Sequence, residues 1–75
     1  MRIIGTVKVI FAYGKCGFIT TAEGEDYYFS PKSFPSGPKR MKVGELVSFD
    51  ASMQNGKPMA KNVDDTLQKI VSVMQ

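Results

Sequence analysis

RIIGTVKVIFAYGKCGFITTAEGEDYYF, residues 2–29, is the stretch that decides the fold. β-Branched residues dominate its first ten positions, and such residues favour strands. Tyr13-Gly14-Lys15 and Glu23-Gly24 interrupt the pattern with residues that are typical of turns. The stretch therefore predicts three short strands in succession, at Arg2–Ala12, Cys16–Ala22 and Asp26–Phe29.

A hairpin signal lies in the second half of the chain. Asn55-Gly56 separates two runs with strand character, Leu46–Gln54 and Lys57–Val63. Asn and Gly both tolerate positive φ, which the tight turns of two-residue hairpins require. Pairing around this turn predicts Asp50 opposite Lys61, where the two side chains would form an ion pair, and Phe49 opposite Asn62.

The segment between the two halves, Ser30–Val43, is predicted to be a long surface loop. It contains Pro31, Pro35 and Pro38, and proline cannot donate the hydrogen bond that a central strand needs. Four of the ten basic residues of the chain also lie in this loop: Lys32, Lys39, Arg40 and Lys42.

Together these segments predict an all-β fold, a five-stranded OB-like antiparallel barrel over residues 1–63. Residues 64–75 form a C-terminal amphipathic extension, a short helix or an ordered tail. Its apolar residues repeat with helical spacing, and Asp65 with Gln68 has the pattern of a capping box. We expect the stripe to pack on the barrel, with a homodimer or protein-partner contact as the alternative; it consists of Leu67, Ile70, Val71 and Met74.

The composition is that of one small globular domain: 75 residues, 43% hydrophobic and 23% charged. No apolar run approaches the ~20 residues of a membrane-spanning helix and no leader is evident, so we expect no membrane partner. The single cysteine, Cys16, excludes an internal disulfide and, without a leader, predicts a cytoplasmic protein.

The net charge of +3 and the pI near 9.2 are compatible with phosphate contacts. The chain has no histidine, and its acidic residues show no paired spacing suited to general acid/base chemistry, so we expect neither enzymatic activity nor a metal or other cofactor.

The order and spacing of a larger set of residues resembles the cold-shock domain family over roughly residues 5–63. The matching positions are Gly5, Val7, Lys8, Gly17, Phe18, Ile19, Asp26, Gly44, Val47, Phe49, Ala60, Asn62 and Val63. The resemblance implies a small barrel that lays single-stranded nucleic acid across exposed aromatic rings.

Several positions at which that family carries its nucleic-acid contacts differ in this chain. Val9 stands at the family's exposed tryptophan, Phe11 at an asparagine, Lys15 at a glycine, Cys16 at a phenylalanine, Ser30 at a histidine and Pro31 at a phenylalanine. The aromatic residue usual in the long loop is also missing. Because stacking of a base on an aromatic ring contributes ~1–3 kcal/mol, these losses should weaken binding unless other residues compensate.

Phe18 and Tyr28 are the clearest remaining matches to stacking positions. Strand alternation places them on the face opposite to Ile19, Tyr27 and Phe29, so we expect the first pair outside and the second set in the core. The alternative is that all of these aromatic residues pack in the core, as most do in small domains.

Other residues complete the predicted binding face. Phe11 and Tyr13 would add stacking rings if they point outward. Phosphate contacts are predicted at Lys8 and Lys15 and in the long loop at Lys32, Lys39, Arg40 and Lys42, although ordinary solvated side chains are the alternative at each. The function implied is non-catalytic binding of single-stranded RNA or DNA, as in an RNA chaperone or a regulator of transcription. The alternative is a protein-interaction module built on a degenerate cold-shock barrel.

Overall fold

A computed structural model describes residues 2–11, 16–35 and 41–74 of the chain. Five strands form a closed barrel in the order β1-β2-β3-β5-β4. The strands are β1 (Arg2–Phe11), β2 (Cys16–Thr21), β3 (Asp26–Phe29), β4 (Leu46–Gln54) and β5 (Lys57–Asp64). A 3₁₀ turn at Pro31–Ser33 follows β3, and helix α1 (Thr66–Met74) follows β5. The predicted all-β, five-stranded OB-like barrel with a short C-terminal helix is confirmed.

The barrel closes through one parallel pairing. β1 pairs antiparallel with β2 and β4, and the β2–β3 and β4–β5 pairs are antiparallel as well. β3 and β5 run parallel where Tyr28 lies opposite Met59. This pairing brings the β4–β5 hairpin next to β3, which sequence order alone does not reveal.

The β4–β5 hairpin has the predicted turn, with φ of 54° at Asn55 and 76° at Gly56, and it places Asp50 opposite Lys61. Phe49 lies opposite both Asn62 and Val63, so the predicted one-to-one pairing of Phe49 with Asn62 is not formed. The register shifts between Ser48 and Asp50, so two β5 residues face one β4 residue, and Asn62 adopts a φ of 52°. This is a β-bulge, and the Arg2 guanidinium donates a 2.6 Å hydrogen bond to the Asn62 carbonyl there.

The core lies inside the barrel, where Val7, Ile19, Phe29, Val47 and Phe49 are almost completely buried. These residues alternate along their strands with outward-facing ones, as the pleat requires.

The segment predicted to be a surface loop also supplies part of the core. Phe34 and Met41 are buried, and the Phe34 ring packs edge-on against Phe29 at a centroid distance of 6.0 Å. Buried Ser33 donates a 2.8 Å hydrogen bond from its hydroxyl to the Ala60 carbonyl. Pro31 and Pro35 mark an irregular backbone correctly, but they give no information about whether the side chain of Phe34 between them turns inward.

Helix α1 rests on β4. The Leu46 amide donates a 2.9 Å hydrogen bond to the side-chain oxygen of Gln68, a residue of the predicted capping box, and this bond ties the helix to the barrel. Leu67 and Val71 are half-buried, whereas Ile70 is 50% exposed and Met74 80% exposed. The stripe therefore covers the barrel with only part of its surface. Within the described residues, no helix is long and apolar enough to cross a membrane.

Candidate nucleic-acid interface

Three aromatic rings from three strands form a cluster on the outside of the barrel. Phe18 on β2 lies opposite Tyr28 on β3, with ring centroids 5.7 Å apart. The Phe11 ring lies 6.0 Å from Phe18 and 6.4 Å from Tyr28. Phe11 is 43% exposed, and the other two rings are half-buried. We call this cluster the aromatic face.

A β-bulge at Lys8 brings Phe11 into the aromatic face. Val7 pairs with Ile19 inside the barrel, but the next pair is Val9 with Phe18, so Lys8 is an extra residue in β1. Regular alternation would have placed Phe11 on the same side as buried Val7. The bulge reverses this alternation, and both Val9 and Phe11 are exposed.

Gly17 allows β2 to present Phe18 outward while the Phe29 ring fills the interior behind it. A Cβ atom at Gly17 would lie only 2.8 Å from the Phe29 ring and closer still to the Val9 carbonyl oxygen. A side chain at position 17 would therefore push Phe29 away or separate β1 from β2.

Cys16 borders the aromatic face, since it pairs across the strands with Phe11. A side-chain hydrogen bond with Cys16, with a smaller contribution from burial, raises the pKa of Tyr28. The shift takes ionisation of the phenol further from physiological pH, at which tyrosine is already neutral. Among the described residues, no group of three or more potential ligands is positioned to hold a metal ion.

Lys8 reaches across the sheet to Asp26 on β3, with the Nζ atom 3.1 Å from a carboxylate oxygen. Hydrogen bonds from Lys8 and then Thr20 lower the pKa of Asp26. Both Lys8 and Asp26 are solvent-accessible, so this ion pair is weak and exchangeable. A phosphate could compete with Asp26 for Lys8.

A groove of about 950 Å³ opens beside the aromatic face, between β3, the 3₁₀ turn and the β4–β5 hairpin. Phe18 and Tyr28 form part of its wall, and the rest of the lining includes three lysines: Lys32, Lys57 and Lys61. Sequence reasoning missed Lys57. The signal that would have found it is the parallel β3–β5 pairing of the barrel, which carries the hairpin to the edge of β3.

The predicted ion pair between Lys61 and Asp50 does not form, although the two residues lie opposite each other on β5 and β4. The Asp50 carboxylate accepts a 2.8 Å hydrogen bond from the Asn62 amide and lies 3.6 Å from the Arg2 guanidinium. The hydrogen bond from Asn62 is the main cause that lowers the pKa of Asp50. Lys61 is thereby left to line the groove.

The structure thus brings together Phe11, Phe18 and Tyr28 from the predicted site and pairs Lys8 with Asp26. Among the other predicted contacts, Lys32 lines the groove and Lys42 is exposed, whereas four lie outside the described residues: Tyr13, Lys15, Lys39 and Arg40. The sequence matches no protein-family model, and a comparison with curated proteins finds no match.

Proposed function

We propose that this protein binds single-stranded RNA or DNA without catalysis, by stacking bases on the aromatic face. The observation that carries the proposal is the contact among Phe11, Phe18 and Tyr28, which come from three strands and leave ring surface accessible to solvent. Exposed rings on the sheet of an OB-like barrel are a common platform for single strands.

Phe11 offsets part of what the chain lacks relative to cold-shock domains. Its ring occupies the outer face beside the two matching positions, so three platforms are present rather than two. At ~1–3 kcal/mol for each stacked base, three rings are sufficient for measurable affinity when phosphate contacts add to them. The resemblance to cold-shock domains supports the same function, and a role in remodelling weak RNA structure or in regulating transcription is part of the proposal.

The test is a fluorescence-anisotropy titration of a labelled single-stranded DNA heptamer and its RNA counterpart. We expect Phe18→Ala and Tyr28→Ala each to weaken binding by about 5- to 150-fold, the range that corresponds to one stacked base. Phe11→Ala should weaken binding in the same range. Val73→Ala is the matched control, because Val73 is 86% exposed on α1, outside the aromatic face. Unchanged binding by the Phe18 and Tyr28 variants would refute the proposal.

A second candidate function is protein interaction through α1. Ile70, Val73 and Met74 are 50%, 86% and 80% exposed, an apolar surface that a partner or a second copy would cover. Sedimentation distinguishes this function: a dimer held by α1 should become monomeric when Ile70 and Val73 are replaced by glutamate. A monomer in the unmodified protein removes the dimer.

A further inference from the structure

We propose that Asn55 is a site of spontaneous deamidation, in which the backbone nitrogen of Gly56 attacks the side-chain amide of Asn55. The site is the turn of the β4–β5 hairpin, a motif that the sequence reveals and that the proposed function does not use. The inference is independent of nucleic-acid binding and concerns the chemical lifetime of the folded chain.

The reaction needs only the turn and the surrounding water. The Gly56 amide loses its proton to hydroxide, and its nitrogen forms a bond to the Cγ atom of Asn55. The C–N bond of the carboxamide breaks, and the leaving group takes a proton from water and departs as ammonia. Water then opens the resulting succinimide ring at either of its two carbonyls, which leaves aspartate or isoaspartate. The net change is the replacement of an NH₂ group by a hydroxyl, which ionises to a carboxylate.

Both reacting groups are accessible. Asn55 and Gly56 are exposed, and they lie between Gln54 and Lys57, the last pair of the hairpin. Within the part of the chain that the structure describes, neither the Gly56 amide nor the Asn55 side chain has a hydrogen-bond partner. A Cβ atom at Gly56 would meet no neighbouring atom within 4 Å. Neither pairing nor packing therefore shields the nitrogen or the carboxamide.

The glycine at position 56 lowers the steric barrier to ring closure. Closure requires the backbone to turn until the Gly56 nitrogen approaches Cγ of Asn55. Glycine has the widest range of accessible backbone angles, because it lacks a Cβ atom. The same residue that permits the tight turn therefore also permits the attack.

The other asparagine of the chain, Asn62, provides a comparison within the same molecule. It is exposed as well, and its φ of 52° is close to the 54° of Asn55. However, the residue after it is Val63, which is buried and β-branched, so the backbone there is crowded. The Asn62 side-chain amide also donates a 2.8 Å hydrogen bond to Asp50. The nitrogen and the carboxamide are both restrained, so the reaction should be much slower at Asn62.

The two products should differ in their effect on the fold. Aspartate tolerates the positive φ of position 55, so it preserves the turn. Isoaspartate inserts an additional carbon atom into the backbone, whereas a two-residue hairpin turn requires a defined backbone twist. The isoaspartyl form should therefore loosen the hairpin, including the pairing of Met59 with Tyr28 that closes the barrel. The reaction thus limits the lifetime of the folded form.

The first experiment ages the unmodified protein in buffer at neutral and at mildly alkaline pH and follows both asparagines by mass spectrometry. Trypsin separates them, because the proline after Lys57 prevents cleavage there: Asn55 lies in fragment 43–61 and Asn62 in fragment 62–69. We expect fragment 43–61 to gain the mass difference between OH and NH₂, and to gain it faster at the higher pH, because the deprotonated amide is the attacking group. Fragment 62–69 should change at least severalfold more slowly.

The second experiment measures the stability of the products. Ion exchange separates the aged protein by its added negative charge, and electron-transfer fragmentation distinguishes isoaspartate from aspartate. Asn55→Asp is the matched control, because it has the same charge and a normal backbone. We expect the isoaspartyl form to unfold at a lower urea concentration than Asn55→Asp.

Three results would overturn the proposal or its consequence. If Asn55 is converted no faster than Asn62, or only in urea after the hairpin has unfolded, the turn is not the reactive site. If the isoaspartyl form is as stable as Asn55→Asp, the hairpin is not loosened.

Discussion

The rings of Phe11 and Tyr28 lie 6.4 Å apart and within 28° of parallel, although they belong to strands β1 and β3, which are not neighbours. They meet above β2, beside Phe18, because the bulge at Lys8 turns Phe11 to the outside of the barrel. The aromatic face is therefore a product of backbone irregularity as well as of residue type.

Gly17→Ala should destabilise the fold, because the added methyl group meets the Phe29 ring and the backbone of β1. We expect the free energy of unfolding to fall by about 1–3 kcal/mol, the usual cost of overpacking. Urea denaturation measures this effect. Gly24→Asn is the control, since a side chain at Gly24 meets no neighbouring atom and asparagine tolerates its φ of 84°. Equal stability of both variants would contradict the packing described for Gly17.

Ser33→Ala should also lower stability. The hydroxyl donates to the Ala60 carbonyl and accepts a 3.0 Å hydrogen bond from the Ser30 amide, so its loss leaves buried backbone groups unpaired. The expected cost is about 1–3 kcal/mol in thermal or chemical unfolding. Ser72→Ala on the exposed face of α1 should change stability far less. If Ser33→Ala leaves the stability unchanged, the 3₁₀ turn is not anchored by this contact.

The ion pair between Lys8 and Asp26 predicts a pH effect. The pKa of Asp26 is lowered in the folded state, so ionised Asp26 stabilises the fold fully when the pH is above the unfolded-state pKa of 3.8. This contribution is lost as the pH falls through the lower pKa of the folded state. Lys8→Met should raise the Asp26 pKa, as followed by NMR titration of the carboxyl carbon. Saturating single-stranded DNA should raise it too if a phosphate takes Lys8. An Asp26 pKa that does not respond to DNA would place Lys8 outside the contact.

Cys16 provides a chemical probe of the aromatic face. It is half-buried and pairs across the strands with Phe11, so a bound strand should cover it. We expect saturating oligothymidylate to slow its reaction with a thiol-specific reagent severalfold, because the bases exclude the reagent. Phe18→Ala should reduce that protection at the same oligonucleotide concentration. A modification rate that is independent of DNA would contradict coverage of this face.

Much of the fold follows from local sequence signals. The β-branched runs and the Asn55-Gly56 turn are local features, and they predict the strands and the hairpin correctly. The bulges at Lys8 and Asn62 are not predictable in this way, because they depend on the partner strands to which each strand is paired.

In the candidate site, too, some features follow from local sequence signals and others depend on how the strands pair. Alternation from Ile19 predicts the outward side of Phe18, whereas the side of Phe11 depends on the bulge. The lysines of the groove become recognisable only when β5 closes the barrel against β3. Phe34 is a core residue that the sequence does not reveal: its proline-rich surroundings predict a surface loop, but its side chain is buried.

The most direct test of the central claim is an NMR titration of the aromatic side-chain signals with an oligothymidylate heptamer. We predict large upfield shifts for the ring protons of Phe11, Phe18 and Tyr28, because stacked bases shield them. The Tyr27 and Phe49 rings, which pack against each other 5.1 Å apart, should shift little. Shifts confined to α1, or none at saturating oligonucleotide and low salt, would contradict binding of single strands by the aromatic face.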